Sequence, residues 1–197
     1  NCMQESMKAG KVVTLPSVNT IADGTAVKTP GTNIFPFIQK NLDDIITIED
    51  EELVVAFLDM VENHKMIVEN SGLLTVAALK HLDVKNKKIV SILSGGNMDV
   101  ITMSSVVQQG LVLRDRIFTV SVLLPDKPGE LSRVADLIAK ESGNVIKLEH
   151  NQFVSINRSA AVELRITLEA YGTEHKNQIV SALQNNGYSP RLVRASI

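Results

Sequence analysis

The chain has 197 residues, of which 44% are hydrophobic and 21% are charged. This composition is typical of a folded globular protein, and it excludes disordered, collagen-like and coiled-coil chains. Twenty Lys and Arg residues against 22 Asp and Glu residues give a formal net charge of −2, which excludes a strong electrostatic attraction to nucleic acid. No apolar run approaches the roughly 18 residues that a bilayer-spanning helix needs. We therefore expect a cytoplasmic protein with no nucleic-acid or membrane partner.

The cysteine and histidine residues predict neither a disulfide nor a metal site. Cys2 is the single cysteine, and the spacing of the four histidines is not that of zinc ligands. We interpret Cys2 as a structural thiol and the histidines as surface or helix-cap residues.

The first third of the chain changes from irregular to helical. Residues 1–36 are rich in Thr, Gly and Pro, which predicts a long irregular stretch. From Asp50, apolar residues recur with helical spacing, and Thr47 with Asp50 three residues later is a candidate capping box. A helix of small residues is predicted over 72–79.

A short apolar segment then ends in a glycine-rich turn. Residues 89–93 (Ile-Val-Ser-Ile-Leu) are too few for a helix and predict a buried parallel strand. Ser94-Gly95-Gly96-Asn97 follows at the strand's carboxyl end, where α/β folds place their ligands. A parallel strand needs neighbours on both sides, so we expect residues 1–112 to be rearranged, partly disordered or covered by another chain.

The second half predicts a β-α-β-β-α-β order. Strands are expected around 118–124, 145–148, 162–168 and 192–193 because apolar and polar residues alternate there. A helix is expected after Asp126, the candidate acidic cap, with Gly143 as its stop, and a second helix ends at Gly187. This order is that of the ferredoxin-like unit, with both helices on one face of an antiparallel sheet.

Three motifs in the first half resemble one enzyme family. They are residues 20–28 (Thr-Ile-Ala-Asp-Gly-Thr-Ala-Val-Lys), 68–72 (Val-Glu-Asn-Ser-Gly) and 94–97. In this order they resemble the second half of the serine/threonine dehydratases, which are pyridoxal-phosphate enzymes of fold type II. The second half, with residues 126–131 (Asp-Lys-Pro-Gly-Glu-Leu), resembles an ACT domain. The implied fold is an α/β protein, with an incomplete fold type II domain over 1–113 followed by a ferredoxin-like ACT domain over 114–197.

The resemblance implies a set of cofactor-binding residues. Ser94 matches the serine whose hydroxyl bonds the pyridine nitrogen, Gly24 matches backbone close to the cofactor ring, and Glu69 matches an acid beside the pyridine. Gly95 and Asn97 complete this set. Without the resemblance, Glu69 would be interpreted as a carboxylate on a helix surface, and Asp23 as part of the loop structure.

The resemblance also implies that part of the catalytic machinery is absent. The family's Schiff-base lysine and its phosphate-binding loop lie upstream of the matched motifs, and no lysine here has the family's context. We therefore name no catalytic residue and no metal ligand. Because the chain begins at Asn1, we expect an inactive fragment of a longer enzyme to which pyridoxal phosphate is not bound.

The loop before the first helix of the ACT-like unit is a candidate effector site. A helix N-terminus there offers unpaired N–H groups to a carboxylate, and Gly129 leaves room for a ligand. The alternative, that Pro128 and Gly129 only shape the turn, is equally compatible with the residues. The resemblance favours amino-acid binding by Asp126, Pro128, Gly129, Glu130, Leu131 and Asn144.

The resulting functional hypothesis is a threonine ammonia-lyase. Its parent enzyme would eliminate the β-hydroxyl of threonine or serine, giving 2-oxobutanoate and ammonia from threonine. The ACT domain would bind an amino-acid effector such as isoleucine or valine, and the edge strands of its sheet predict a homo-oligomer. The alternative is a free-standing ACT-type amino-acid sensor or dimerisation module without catalytic activity.

Overall fold

The computed structural model describes residues 1–151 and 162–195. It divides into two compact units, Asn1–Val107 and Gln108–Ile197. The division falls inside a helix (Val100–Leu113), whereas the domain boundary that we predicted lies at the end of that helix. Among the described residues, no helix has the length and apolar character that a bilayer crossing requires.

The first unit is built from helices joined by irregular segments. Its helices are α1 (Cys2–Ala9), α2 (Phe35–Asn41), α3 (Asp50–Asp59), α4 (Leu74–Ala77) and α5 (Val100–Leu113), the last of which continues into the second unit. A π-helical turn (Met60–His64) extends α3, and a 3₁₀ turn (Ala78–His81) extends α4. The buried residues of α3, including Leu53 and Phe57, form the centre of the unit's core.

Helix α3 begins where the apolar pattern predicts, but its cap is different. Glu49 is the N-cap residue, and it forms a reciprocal capping box with Glu52. The predicted pair of Thr47 and Asp50 is wrong because the Asp50 carboxylate is engaged elsewhere. It accepts hydrogen bonds from the Thr20 hydroxyl (2.6 Å) and from the Ile21 amide (3.1 Å), and so ties the early loop to the helix.

The predicted buried strand over residues 89–93 is wrong. The segment is irregular, and Val90 and Ile92 are 89% and 71% exposed. In the first unit, all of which is described, no strand pairs with it, so the backbone has no ladder to join. The segment is instead held by α4, because the Thr75 hydroxyl donates to the Ile92 carbonyl at 3.0 Å.

Sequence patterns did not predict three of the helices. Helix α1 lies in the stretch that was interpreted as irregular, and α2 carries Pro36 in its first turn, where proline is tolerated. Helix α5 is apolar and rich in β-branched residues, which have only modest helix propensity.

The second unit has the predicted β-α-β-β-α-β order. Its elements are β1 (Ile117–Leu124), α6 (Glu130–Lys140), β2 (Asn144–Asn151), β3 (Val162–Glu169), α7 (Thr173–Asn185) and β4 (Arg191–Val193). The strands form one antiparallel sheet in the order β2-β3-β1-β4. The chain is therefore a mixed α/β protein whose described strands form one antiparallel sheet. Residues 89–93, the expected parallel strand, form no second sheet.

Both helices of this unit pack on one face of the sheet. Val120 and Ile166 face each other across β1 and β3, and they share a buried core with Ile138 of α6 and Ile179 of α7. Burying aliphatic side chains of this size stabilises the fold by about 1.5–3 kcal/mol each. The opposite face carries polar side chains, because residues alternate in direction along a strand.

Strand β2 contains a bulge. The register passes from Val145 opposite Leu168 to Lys147 opposite Thr167, so Ile146 has no partner of its own. This extra residue brings Leu148 opposite the buried Ile166.

A partly buried ion pair fixes the start of α7. Asp115, which has a left-handed backbone (φ 53°), accepts hydrogen bonds from Thr173 (2.8 Å) and Lys176 (2.7 Å). Burial alone raises the pKa of Asp115, but the hydrogen bonds from Lys176 and Thr173 outweigh this effect and hold the pKa below its usual value. Asp115 therefore joins the end of α5 to α7.

We expect Asp115→Asn to lower the free energy of unfolding of the second unit by about 1–2 kcal/mol at neutral pH. The pKa of Asp115 is lower in the folded state, so its contribution is complete above the unfolded pKa of about 3.9 and is lost as the pH falls through the folded pKa. The measurement is urea unfolding followed by tyrosine fluorescence, because both tyrosines of the chain, Tyr171 and Tyr188, lie in this unit.

Asparagine keeps the left-handed backbone of residue 115, so the substitution removes the negative charge and one of the two accepting oxygens without backbone strain. Asp136→Asn, at an exposed position of α6, is the control and should leave the unfolding midpoint unchanged. The difference in free energy of unfolding between Asp115→Asn and the unmodified protein should shrink in acid. A difference that stays the same would contradict the role of the ionised Asp115 carboxylate.

Candidate functional site

The first candidate site lies where three loops of the first unit meet. Glu69 is half-buried, and one of its carboxylate oxygens, Oε2, accepts a hydrogen bond from the Asn97 amide at 2.9 Å. A Cβ atom on Gly95, whose φ is 78°, would lie only 2.0 Å from the Glu69 Cδ. Only a glycine at residue 95 leaves room for this carboxylate. The structure therefore brings together three residues that the sequence singled out.

Gly24 belongs to the same cluster. It lies in a 3₁₀ turn (Asp23–Thr25), and a Cβ atom at this position would be 2.8 Å from the Ser71 hydroxyl and 3.6 Å from the Glu69 Oε1. Asp23 accepts a hydrogen bond from the Gly24 amide at 2.8 Å, which agrees with its predicted structural role in the loop.

The alternative interpretation of Glu69 as a helix-surface carboxylate is wrong. The residue lies in an irregular segment, and its carboxylate reaches across to the glycine-rich turn. A carboxylate held in this position can accept hydrogen bonds from backbone N–H groups or from a ligand.

Ser94 borders the cluster through its backbone. A Cβ atom on Gly72 would lie 2.1 Å from the Ser94 carbonyl oxygen, so Gly72 allows these two loops to touch. Ser94 itself is exposed.

Two residues in the cluster have buried polar atoms that the sequence analysis did not single out. Within the described residues, Asn70 Oδ1 and Ser71 Oγ are buried and have no hydrogen-bond partner. Asn70 is anchored by its amide, which donates to the Ile21 carbonyl at 3.0 Å. Unpaired buried polar atoms are uncommon and need an explanation, such as a ligand or water. The sequence could have indicated Asn70 and Ser71 as site residues because both lie inside the 68–72 motif.

The second candidate site is a cavity of about 330 Å³ in the second unit. Its lining includes five of the six predicted effector-binding residues, and these are Asp126, Pro128, Gly129, Glu130 and Leu131. His150 also lines it and was missed, because only the register of β2 brings that residue to this end of the sheet. Asp126 is not the helix cap, since Gly129 occupies the N-cap position with φ 92° and no side chain caps the helix.

Glu130 is held by neighbouring side chains. Arg133 and the Tyr188 hydroxyl donate hydrogen bonds to its two carboxylate oxygens at 3.1 and 3.2 Å. Burial, followed by the hydrogen bond to the Glu130 carboxylate, raises the pKa of Tyr188. The Glu130 side chain therefore connects α6 to the segment between α7 and β4 and also borders the cavity.

The structure does not bring Asn144 to this cavity. Asn144 pairs with Glu169 at one end of the sheet and donates a hydrogen bond to its carboxylate at 3.1 Å, whereas the loop follows Leu124 at the other end. The two ends are seven positions apart along β3, so Asn144 does not line this cavity, and its contact with an effector stays a prediction.

The histidines were predicted to be surface or helix-cap residues, and one of them is buried beside Glu141, the C-cap residue of α6. His175 is buried, accepts a hydrogen bond from the Tyr171 amide at 3.1 Å and contacts the Glu141 carbonyl at 2.5 Å. Across 1–151 and 162–195, no group of three His, Cys, Asp or Glu side chains is arranged to hold a metal ion.

Comparisons with known proteins match the first site to an enzyme family. Residues 1–95, which include Gly24, Glu69 and Gly95, match the model of the family described as pyridoxal-phosphate dependent enzyme. The processed form of threonine deaminase isoform 2 from Solanum lycopersicum is similar in structure, with a TM-score of 0.51 and 30% identity. That similarity covers 55% of this chain and 33% of the tomato protein.

Curated relatives extend the similarity over nearly the whole chain. An L-threonine ammonia-lyase from Geobacter sulfurreducens is 40% identical over 185 residues, which are 93% of this chain and 46% of that protein. A second L-threonine ammonia-lyase, from Thermotoga maritima, is 32% identical over 97% of this chain and 48% of its own length. The chain thus spans about half the length of these relatives. Residues 1–95 match the pyridoxal-phosphate dependent enzyme family, and the chain is homologous to the threonine ammonia-lyases over most of its own length.

Proposed function

We propose that the protein that carries this sequence is a pyridoxal-phosphate-dependent threonine ammonia-lyase, which converts L-threonine to 2-oxobutanoate and ammonia. The observation that carries the proposal is the 40% identity to an L-threonine ammonia-lyase over 93% of the chain. Relatives named as biosynthetic threonine dehydratases, at 27–29% identity, support a role in isoleucine synthesis. The proposed location is the cytoplasm.

The cluster around Glu69 has features that suit a pyridine cofactor. Its orphaned Asn70 Oδ1 and Ser71 Oγ atoms supply polar groups that need partners, and Gly24 and Gly95 allow the backbone to lie directly against the Ser71 and Glu69 side chains. Ser94, Gly95, Gly24, Glu69 and Asn97 are the residues of this chain that would hold pyridoxal phosphate. When bound, the cofactor supplies an electron sink that makes the α-proton of the substrate acidic.

The chain's own residues would orient the ring and set its protonation. The Ser94 hydroxyl is a neutral partner for the pyridine nitrogen and does not stabilise a positive charge there, which suits β-elimination. Glu69 holds the loop that carries Ser94 by accepting the Asn97 amide hydrogen bond. Glu69 is therefore proposed as a positioning residue.

We expect Gly95→Ala to reduce threonine ammonia-lyase activity more than about tenfold. The added methyl group would displace the Glu69 carboxylate, and the left-handed backbone of residue 95 adds about 1–2 kcal/mol of strain. The measurement is formation of 2-oxobutanoate from L-threonine by the protein expressed from its own gene, with pyridoxal phosphate added.

Gly96→Ala is the comparison within the same loop, because no atom lies within 4 Å of a Cβ atom at that position. Its loss of activity should be much smaller than that of Gly95→Ala. Equal losses would argue against the steric role of Gly95. A protein without 2-oxobutanoate formation under any cofactor condition would overturn the proposed reaction.

We propose in addition that residues 114–197 form an ACT-type regulatory domain that binds a branched-chain amino acid. The β-α-β-β-α-β order and the cavity at residues 125–131 support this assignment. The left-handed Gly129 opens the first turn of α6, where backbone N–H groups lack intrahelical partners and favour a carboxylate.

This unit also has a surface suited to self-association. Strand β2 is an edge strand, and all eight of its residues are exposed. Unpaired strand edges are templates for pairing with another chain. The proposed assembly is therefore a homo-oligomer in which such units meet.

We expect Gly129→Ala to weaken isoleucine binding by about tenfold or more. A Cβ atom there meets no other atom, but the left-handed backbone penalises alanine and shifts the turn. The measurement is calorimetric titration of L-isoleucine, L-valine and L-threonine into the protein. Gly187→Ala is the matched control, since residue 187 has the same left-handed backbone (φ 86°) and equally open surroundings but does not line the cavity.

If Gly187→Ala weakened binding as much as Gly129→Ala, the effect would come from general destabilisation and the site assignment would fail. Retained isoleucine binding in a protein with no ammonia-lyase activity would favour a sensor without catalytic function.

A further inference from the structure

The polar face of the sheet, opposite α6 and α7, contains a second cavity in this unit. Its volume is about 190 Å³, and it is lined by Thr119, Glu149, Arg165, Thr167, Val193 and Arg194. A space of this size suits a small molecule. The loop cavity at residues 125–131 shares none of these residues.

The strand register explains why these side chains meet. Thr119 of β1 lies opposite Thr167 of β3 and opposite Val193 of β4. In the neighbouring row, Arg165 of β3 lies opposite Glu149 of β2. Side chains paired in this way point to the same face, so four strands supply one continuous lining.

The floor of the cavity is polar and well packed. Thr119 and Thr167 are each only 4% exposed, and their hydroxyl groups form a hydrogen bond of 2.9 Å. A hydroxyl group offers one donor and two acceptors, so this bond does not exhaust the pair. The floor can therefore still bond the polar atoms of a ligand.

The charges around the floor are of both signs. Arg165 is oriented by Glu163, whose carboxylate accepts from the guanidinium Nε at 3.1 Å. Hydrogen bonds from the Ser121 hydroxyl and from Arg165 lower the pKa of Glu163, so this carboxylate is ionised at neutral pH. Because a guanidinium group has five N–H donors, the contact through Nε leaves donors for a ligand carboxylate.

Glu149 supplies the negative charge. Lys147 contacts its Oε1 at 2.8 Å, and that hydrogen bond lowers the pKa of Glu149. A carboxylate accepts several hydrogen bonds, so Glu149 can also accept from an ammonium group.

We propose that this cavity binds a small zwitterionic α-amino acid. Arg165 and Arg194 bind its carboxylate, Glu149 binds its ammonium group, and Val193 contacts a short side chain. This site goes beyond the proposed effector site at the loop, since it lies on the polar face of the sheet.

The test is a titration of the full chain with L-alanine, followed by amide chemical shifts in ¹⁵N–¹H spectra. We expect saturable shifts at Thr119, Thr167 and Val193. Propionate lacks the ammonium group and ethylamine lacks the carboxylate, so each should bind at least about tenfold more weakly than L-alanine.

Two substitutions assign the charges. Glu149→Gln and Arg165→Lys should each raise the dissociation constant for L-alanine by about tenfold. Glu149 is half-exposed, so its substitution is compatible with folding, and unchanged shifts elsewhere in the spectrum verify this. Glu174→Gln, at an exposed position of α7, is the control and should leave the dissociation constant unchanged.

Three results would overturn the proposal: no saturable shift at the three amides, equal affinity for propionate and L-alanine, or unchanged affinity in Glu149→Gln and Arg165→Lys. Amide chemical-shift changes at Gly129 would indicate binding in the loop cavity and would test only the proposed effector site there. The two proposals can therefore fail independently.

Discussion

The contact between Glu69 and the glycine-rich turn is the interaction on which the first unit's candidate site depends. Residues 88–99 have no strand ladder, so individual side chains fix the backbone there. Glu69 holds the Asn97 amide, and Thr75 holds the Ile92 carbonyl. The turn can approach Glu69 so closely only because residue 95 has no side chain. Glu69 and Thr75 thus set the position of the loop that carries Ser94, Gly95 and Asn97.

The fold of the second unit is stabilised by strand pairing and by a shared apolar core. Each described strand is paired, and the helix-facing side chains of β1 and β3 pack with α6 and α7 in one core. Ladder hydrogen bonds and apolar burial distribute the stabilisation over many residues, so no single contact dominates. The polar face of the same sheet is then available for charged and hydroxyl side chains. The loop cavity and the sheet-face cavity of this unit therefore share one scaffold without sharing lining residues.

The sequence was most informative where a residue's surroundings are local. Alternation along β1 and β3 predicted their buried faces, because each strand's partners lie in the same unit. It failed at residues 89–93, since an apolar run indicates burial but cannot say whether neighbouring strands exist. The cap of α3 was misjudged because Asp50 bonds to residues about thirty positions earlier, a distance that no local pattern reveals. Among the site residues, glycine positions were recognised from the motifs, whereas His150 required knowledge of the strand register.

The bulge at Ile146 decides which side of the sheet each later residue of β2 faces. In a straight ladder that started from the same Val145 pair, Lys147 and Glu149 would lie opposite Ile166 and Leu164 and would turn toward the core. That register would put two charged side chains on the helix-facing side of the sheet, where Leu148 and His150 lie now. Loss of residue 146 from the chain would restore a regular ladder with every later side chain on its present face. Deletion of residue 146 should therefore be tolerated. An insertion or deletion elsewhere in β2 would move the later side chains to the opposite face of the sheet.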